Sequence, residues 1–329
     1  MIAVLTPEQM RQADAAALAA VGEHNQHVFI QRAGYAVAVT ARRMMGGCYG
    51  KRVVVIAGKG NNGDDGRVAA EQLVLWGASV TVVPADEAGE LFIDPRNADL
   101  VIDAAYGIGF RGTWTPPIVF NVPVLAVDLP SGLNALDGTV EGGVLVADRT
   151  VTFAAPKTGM LLGDGPSLCG EIDIIDVGID VVEDVDTFLV QSNDIAAWLP
   201  MRDTHAHKWD AAVRVVAGST GMGGAASLVS AAAMRAGAGI VHLSWRQGTE
   251  SFTPPTEVVG RALPFEKWSE FIAADIDRFE SLVIGPGLGR GDDVTAEVQK
   301  ILTSASLPTV IDGDGLHAAI GGARQHDVL

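Results

Sequence analysis

The sequence predicts an α/β protein of two domains, residues 1–200 and 201–329, each built on a doubly wound, mostly parallel sheet. Three observations predict it. Apolar runs of strand length repeatedly end in polar, glycine-bearing loops and are followed by helical patterns. That grammar stops near residues 185–208, where "SNDIAAWLPMRDTHAHK" carries proline and mixed charge, and then restarts. The chain is 329 residues long with 39 scattered glycines, enough for two cores joined by tight turns.

The elements follow in order. "TPEQMRQADAAALAA" opens a helix, with Thr6 as cap, Pro7 in the first turn and Gln9 completing a capping box. "VFIQRAGYAVAVTARRMM" is a second helix, ended by Gly46 and Gly47. "RVVVIA" (52–57) is a continuous apolar run, as a parallel strand buried on both faces requires. A loop, "GKGNNGDDG" (58–66), separates it from the helix "RVAAEQLVLWG" and the strand "SVTVVP". "LVIDAAYGIG", "VPVLAVDLPSG", "RTVTFAAP" and "EIDIIDVGI" complete the strands of the first domain. Residues 85–98 and 110–121 are short for parallel crossovers, so loops or one short helix are expected there. In the second domain "AVRVVAGSTGMGGAASLVSAAAMRAGAG" reads as strand, Gly/Ser loop and helix. "ESLVIGPGLG" and "LPTVIDGDGL" are further strands with glycine-rich exits, and no internal repeat is visible.

A net charge of −17 with no block of Lys and Arg argues against nucleic acid and anionic membrane surfaces as partners. No signal peptide and no long uncharged apolar stretch is present, so a cytoplasmic protein is expected. Cys48 and Cys169 lack metal-site spacing and read as two reduced thiols. Homo-oligomerisation is left open.

Ligands of open parallel sheets bind beyond the carboxyl ends of the strands. Those ends carry Asn61, Asn62, Asp64 and Asp65, then Asp103 and "YGIGFRG", then Asp128 and Ser131. Carboxylate, amide and hydroxyl oxygens suit a hard, monovalent cation. Asp128 is equally suited to meet a substrate as acid, base or ribose acceptor. Each of these residues also fits a turn. Gly58, Gly60 and Gly63 match a dinucleotide fingerprint, but a lone match is weak and acidic residues follow it. No Walker loop is present. In the second domain "GSTGMGGA" opens a helix whose amides can accept an anion. Asp312 and Asp314 fit a catalytic, cation-linked or turn role, and His205 and His207 read as surface residues.

Taken in order, "GKGNNGDDG", "VIDAAYGIGFRG", "AVDLPSGLNALDG" and "TFAAPKTGMLLGDGPSLCG" resemble the NAD(P)HX epimerases. "HKWDAAVRVVAGSTGMGGAASLVSAAAMRAGAG", "VIGPGLG" and "VIDGDGL" resemble the ADP/ATP-dependent NAD(P)HX dehydratases. The whole chain thus resembles bifunctional NAD(P)H-hydrate repair enzymes. The resemblance implies a Rossmann-like epimerase domain followed by a ribokinase-like domain. It implies NAD(P)HX, the hydrated nicotinamide cofactor, as substrate. The first domain would interconvert its R and S epimers, and the second would dehydrate the S form with ADP or ATP. It implies K+ on Asn62, Asp103 and Ser131. It implies substrate contacts from Asn61, Asn62, Gly63, Asp64 and Asp65, from Gly107, Ile108, Gly109, Phe110, Arg111, Gly112 and Thr113, and from Asp128, the expected catalytic residue. Lys157 adds positive charge nearby or is an ordinary salt-bridged lysine. Ala225 and Gly287 would touch substrate in the second domain. Four features depart from the family pattern: Asp64 replaces a glycine, Ile108 replaces a threonine, "IDGDGLH" replaces "DADALN", and the two tight crossovers are shorter than the family's. The family's catalytic dehydratase segment is not within residues 1–329, so no dehydration is expected from these residues, and a sheet cut there would expose unpaired edges. A degenerate binding module and a small-molecule kinase are the rival readings.

Overall fold

In the computed structural model the chain divides into two compact units, Met1–Leu199 and Pro200–Leu329. All residues are described except 23–26, 182–184, 200, 247–251, 320–326 and 329.

Unit 1 begins with β1 (Ile2–Ala3), α1 (Pro7–Val21) and α2 (His27–Met45). The Thr6–Gln9 capping box forms as the sequence predicts, each side chain satisfying the other's backbone amide. β2 (Arg52–Ala57), α3 (Asn61–Leu75) and β3 (Ser79–Pro84) make the first βαβ unit. Here sequence and structure differ. The helix was expected from Arg67, but it starts at Asn61, so most of "GKGNNGDDG" is helix and only residues 58–60 turn. Asparagine, glycine and aspartate disguise a helix start because they are also the residues of loops.

β4 (Phe92–Ile93), β5 (Leu100–Ala104), β6 (Ile118–Val119), β7 (Val124–Val127) and β8 (Arg149–Phe153) follow. The short helices α4 (Thr158–Leu161) and α5 (Gly165–Leu168) lead to β9 (Glu171–Ile175). β10 (Phe188–Leu189) pairs with β1, and α6 (Ser192–Trp198) closes the unit.

The main sheet runs β3-β2-β5-β7-β8-β9 with every pairing parallel. The chain leaves β2 toward β3 and returns to β5 on β2's other side, which makes β2/β5 the topological switch point. One sheet face packs Val53, Val55, Leu100 and Ile102 against α2 and α3 through Val37, Ala41, Ala69 and Leu73. The other face carries Ile56, Val101, Val124 and Ala126. Over it lie the two short crossovers. They hold a single 3-10 turn (Ala88–Glu90) and pair as a miniature parallel sheet, β4 with β6. The expected loops and short helical turn are there; the miniature sheet is not legible in two-residue strands. Ile93 and Trp114 supply the apolar cover that crossover helices would otherwise give.

Unit 2 contains β11 (Ala212–Val216), α7 (Gly223–Arg235), β12 (Ile240–Arg246), β13 (Val259–Leu263) and α8 (Trp268–Ala273). It continues with β14 (Ser281–Ile284), α9 (Asp292–Ser304), β15 (Thr309–Ile311), α10 (Asp314–Ala319) and β16 (Asp327–Val328). Its sheet order is β13-β12-β11-β14-β15-β16, all parallel, with the switch point at β11/β14. No helix among the described residues is long and apolar enough to cross a membrane.

Candidate active site

A cavity of about 760 Å³ opens in unit 1 where β2, β5 and β7 end side by side. Such a volume suits a small-molecule site. Met10, Leu18, Phe29, Ile30 and Val177 form an apolar wall contributed largely by α1 and α2. The opposite wall is polar. It comprises Lys59, Gly60, Asn61, Asn62 and Asp65 at the start of α3, the loop from Tyr106 to Arg111, and Asp128 with Lys157.

The start of α3 has two uses. The amides of Asn61, Asn62 and Gly63 precede the first i→i−4 bond, made by the Asp64 amide to the Gly60 carbonyl. Free amides at a helix N-terminus form a ready anion site. Close packing fixes this corner. A Cβ on Gly58 would stand 1.9 Å from the Ala105 carbonyl oxygen, and one on Gly63 would stand 2.1 Å from that of Gly58. Two glycines of the fingerprint are therefore demanded by backbone approach.

Asn62 is buried, and neither its Oδ1 nor its Nδ2 has a hydrogen-bond partner. A buried amide without partners costs on the order of 1–3 kcal/mol, so a ligand there has something to satisfy. Asp103 lies fully buried at the end of β5. It accepts hydrogen bonds from the Ser131 amide (2.9 Å) and hydroxyl (2.6 Å). Burial pushes its carboxyl above the usual range, and the Ser131 donors oppose that shift. The Tyr106 amide donates to Ser131 Oγ at 2.8 Å. The next residue, Gly107, lies between two others of the set. A Cβ there would be 3.5 Å from Asn62 Cβ and 3.6 Å from Asp128 Oδ2. Asn62, Asp103, Ser131 and Asp128 thus gather around residues 106–107.

Asp128 directly follows β7 with φ = 68°, in the left-handed region that Asp tolerates better than most residues. Its carboxylate is ion-paired to Lys157 and accepts from Thr152 Oγ1 at 3.3 Å. Lys157 is only 1% exposed, and its Nζ also donates to Thr152 Oγ1 (2.8 Å) and the Phe153 carbonyl (3.3 Å). The two sequence readings of Lys157 merge: it is a salt-bridged lysine, and the salt bridge lines the cavity. Asp65 shares the wall. Burial first, then the charges of Asp128, Asp64 and Asp14, push its carboxyl up to about 8. Asp14 is raised too, by burial and by Asp128, against a smaller opposing effect of Lys157.

Not every expected contact faces the cavity. Gly63 is turned into backbone packing, and Gly112 and Thr113 lie beyond the wall, with Thr113 beside Gly142. Asp64 is half exposed and pairs with Arg67 at 2.9 Å. Ile108, where the family has threonine, packs against Leu129, Met160, Leu5 and Met10. Asp14 was missed, although a signal existed. It sits on the apolar stripe of α1 with Met10, Ala13 and Leu18, where a carboxylate is out of place. In unit 2 a Cβ on Gly287 would lie 3.1 Å from Ala225 Cβ, so the two expected residues meet at the β11/β14 switch point. Asp314 serves the loop after β14, accepting from the Gly289 amide (2.9 Å) and Arg290 Nε (2.9 Å). His205 and His207 are both exposed, and no cluster of three or more His, Cys, Asp or Glu fit for a metal occurs among the described residues.

Two parallel α/β units, the first with a half-polar cavity at its switch point, define a protein that acts on a polar small molecule. The chain belongs to the family of bifunctional NAD(P)H-hydrate repair enzymes. Residues 26–91 and 83–159 match the model described as YjeF-related protein N-terminus, and residues 213–322 match the model for NAD(P)H-hydrate dehydratase. The bifunctional NAD(P)H-hydrate repair enzyme Nnr of Mycobacterium leprae is 33% identical, covering 93% of this chain and 67% of its own length. That of Moorella thermoacetica is 32% identical, over 90% of this chain and 66% of its own. The chain spans about two thirds of the length of these relatives. A crystal structure of yeast ynu0 aligns with a TM-score of 0.41 at 18% identity, over 58% of this chain and 97% of its own. A ribokinase-like superfamily protein from Enterococcus faecalis aligns with a TM-score of 0.34 at 17% identity, over 38% of this chain and 46% of its own.

Proposed function

We propose that unit 1 interconverts the R and S epimers of NAD(P)HX, and that unit 2 belongs to the domain that dehydrates the S epimer with ADP or ATP. The observation that carries the reading is the meeting, in one cavity, of free helix amides, an unpartnered Asn62 amide and the Asp128–Lys157 pair. The amides at the start of α3 take the pyrophosphate. The apolar wall from α1 and α2 takes a ring of the dinucleotide. Asp128, held in place by Lys157 and Thr152, accepts from a ribose hydroxyl or moves a proton while the C6 centre opens and recloses.

Potassium fits the donor set. Asn62, Asp103 and Ser131 would hold it, offering amide, carboxylate and hydroxyl oxygens, and the orphaned Asn62 amide gains a partner. Bound there, the cation supplies positive charge that offsets the carboxylates near a phosphate. Gly63, Asp64, Gly112 and Thr113 shape this wall from outside the cavity. Ala225 and Gly287 are the unit 2 contacts of the dehydration substrate. Cytoplasmic function is supported by two buried, unpaired thiols.

The test adds R-NADHX to the purified chain in potassium buffer and follows the epimer ratio by chromatography. Faster equilibration than in buffer is the expected result. Binding of the nucleotide without acceleration would make unit 1 a binding module instead.

A further inference from the structure

One carboxyl of the cavity has no structural use. Asp65 lines the cavity and is only 8% exposed. None of the side-chain hydrogen bonds or ion pairs of the described residues involves its carboxyl. The three groups that act on it electrostatically are carboxylates: Asp128 on the loop after β7, Asp64 on its own helix and Asp14 on α1. The cations nearby are committed elsewhere. Lys157 pairs with Asp128, Arg67 with Asp64, and Lys59 with Asp86, while Arg111 lines the cavity without being among the charges that act on Asp65. A buried carboxyl with no donor and only like charges around it keeps its proton. Asp128, by contrast, has the Lys157 ammonium against it. A carboxyl without a donor beside one that is ion-paired suits an acid and a fixed carboxylate in one site.

We propose that Asp65 is the general acid of the epimerisation, with Asp128, held in place by Lys157, as a fixed carboxylate beside it. The proposal rests on the epimerase reading of unit 1. In the step, Asp65 gives its proton to the C6 hydroxyl oxygen. The C6–O bond breaks and its electron pair leaves on water, while the N1 lone pair forms an N1=C6 double bond. Water then adds to the other face of C6, the π pair returns to N1, the added water's surplus proton passes to solvent, and solvent reprotonates Asp65. Protons and electrons balance without a co-reactant. Positive charge develops on the ring in the middle of this sequence, and the Asp65 carboxylate left by the proton, with the Asp128 carboxylate in the same cavity, favours it.

The test uses the full chain with R-NADHX in potassium buffer and compares wild type, Asp65→Asn and Asp65→Glu. Thermal melts confirm that each variant is folded. Losing a positioned acid typically costs a factor of about 10²–10⁴, so kcat of Asp65→Asn should fall at least about 100-fold. KM should stay within about threefold, and Asp65→Glu should recover part of kcat. The wild-type rate should decline above pH 8, where Asp65 loses its proton. An unchanged kcat, or an effect confined to KM, overturns the acid role and leaves the epimerase reading standing. Silence of the wild type overturns both. If Asp65→Asn does not fold, Asp65→Glu decides alone: a displaced alkaline limb supports the role, and an unmoved limb rejects it.

Discussion

Asp64 and Asp65 are adjacent on α3 and meet opposite surroundings, which only the helix phase reveals. Asp64 points to solvent, pairs with Arg67, and sits in the first helical turn, where a negative charge faces the positive end of the helix dipole. The backbone there is helical, so an ordinary side chain replaces the family's glycine without strain. An exposed pair contributes about 0–1 kcal/mol, and glycine in a helix costs about 1 kcal/mol. Asp64→Gly should therefore lower stability by about 1 kcal/mol in urea melts and leave epimerisation within about twofold of wild type. A large loss of activity would show that Asp64 touches substrate after all. Asp65 has a different signature. Burial first and the charge of Asp128 second push its carboxyl from the ordinary range near 3.8 up to about 8. The folded chain thus holds a proton that the unfolded chain has released, and stability falls as pH rises from about 4 to 8 and levels beyond. Asp65→Asn removes that dependence. Relative to wild type, the variant should gain up to about 1.4 kcal/mol per pH unit through that window. Urea melts at pH 5, 7 and 9 measure the gap; a constant gap would mean that Asp65 ionises normally.

At the scale of elements, legibility followed unbroken apolar, β-branched runs. β2 and β3 lie where the sequence predicts them to the residue, because an apolar run bounded by glycine or proline leaves little choice. The strand ends and the loops after them were legible too, and with them Asp103, Asp128 and Ser131. What the sequence hid was the start of α3, since its residues are equally those of a turn, and the side chains that reach the cavity from α1 and α2. Asp14 and Asp128 are brought together only by tertiary packing. β11 hid a further surprise. Arg214 lies in the middle of this strand, fully buried, and none of its guanidinium nitrogens has a hydrogen bond. Its contacts are Asp275 at 3.7 Å and the Phe279 ring at 5.3 Å. A buried charge so poorly satisfied costs more in desolvation than it recovers. Asp275 keeps Arg261, also at 3.7 Å, if Arg214 is removed. Arg214→Met should therefore be neutral or stabilising, by up to about 1–4 kcal/mol in urea melts. A loss of about 3 kcal/mol or more would show that the Arg214–Asp275 pair holds unit 2 together.

Over the whole molecule, both units repeat one solution: a parallel sheet whose chain reverses direction beside its first strand, leaving a crevice between two glycine-bearing loops. In unit 1 that crevice became a cavity because α1 and α2 wall it off. The molecule's charge then works against its proposed substrate. The chain carries a net −17, and a dinucleotide is itself anionic. Of the cavity's cations, Lys59 and Lys157 are already paired with Asp86 and Asp128, and the carboxyls of Asp14 and Asp65 stand nearby. The distant field is therefore repulsive, and the local one offers little to reverse it. Salt screens charges beyond about 10 Å at 0.1 M, which covers most of the surface and spares contacts inside the cavity. Raising choline chloride from 20 to 200 mM at constant KCl should increase kcat/KM for NAD(P)HX by about twofold, through KM, with kcat unchanged. Choline keeps the potassium occupancy out of the comparison. A fall in kcat/KM would show that Arg111 and the helix amides outweigh the net charge and draw the substrate in.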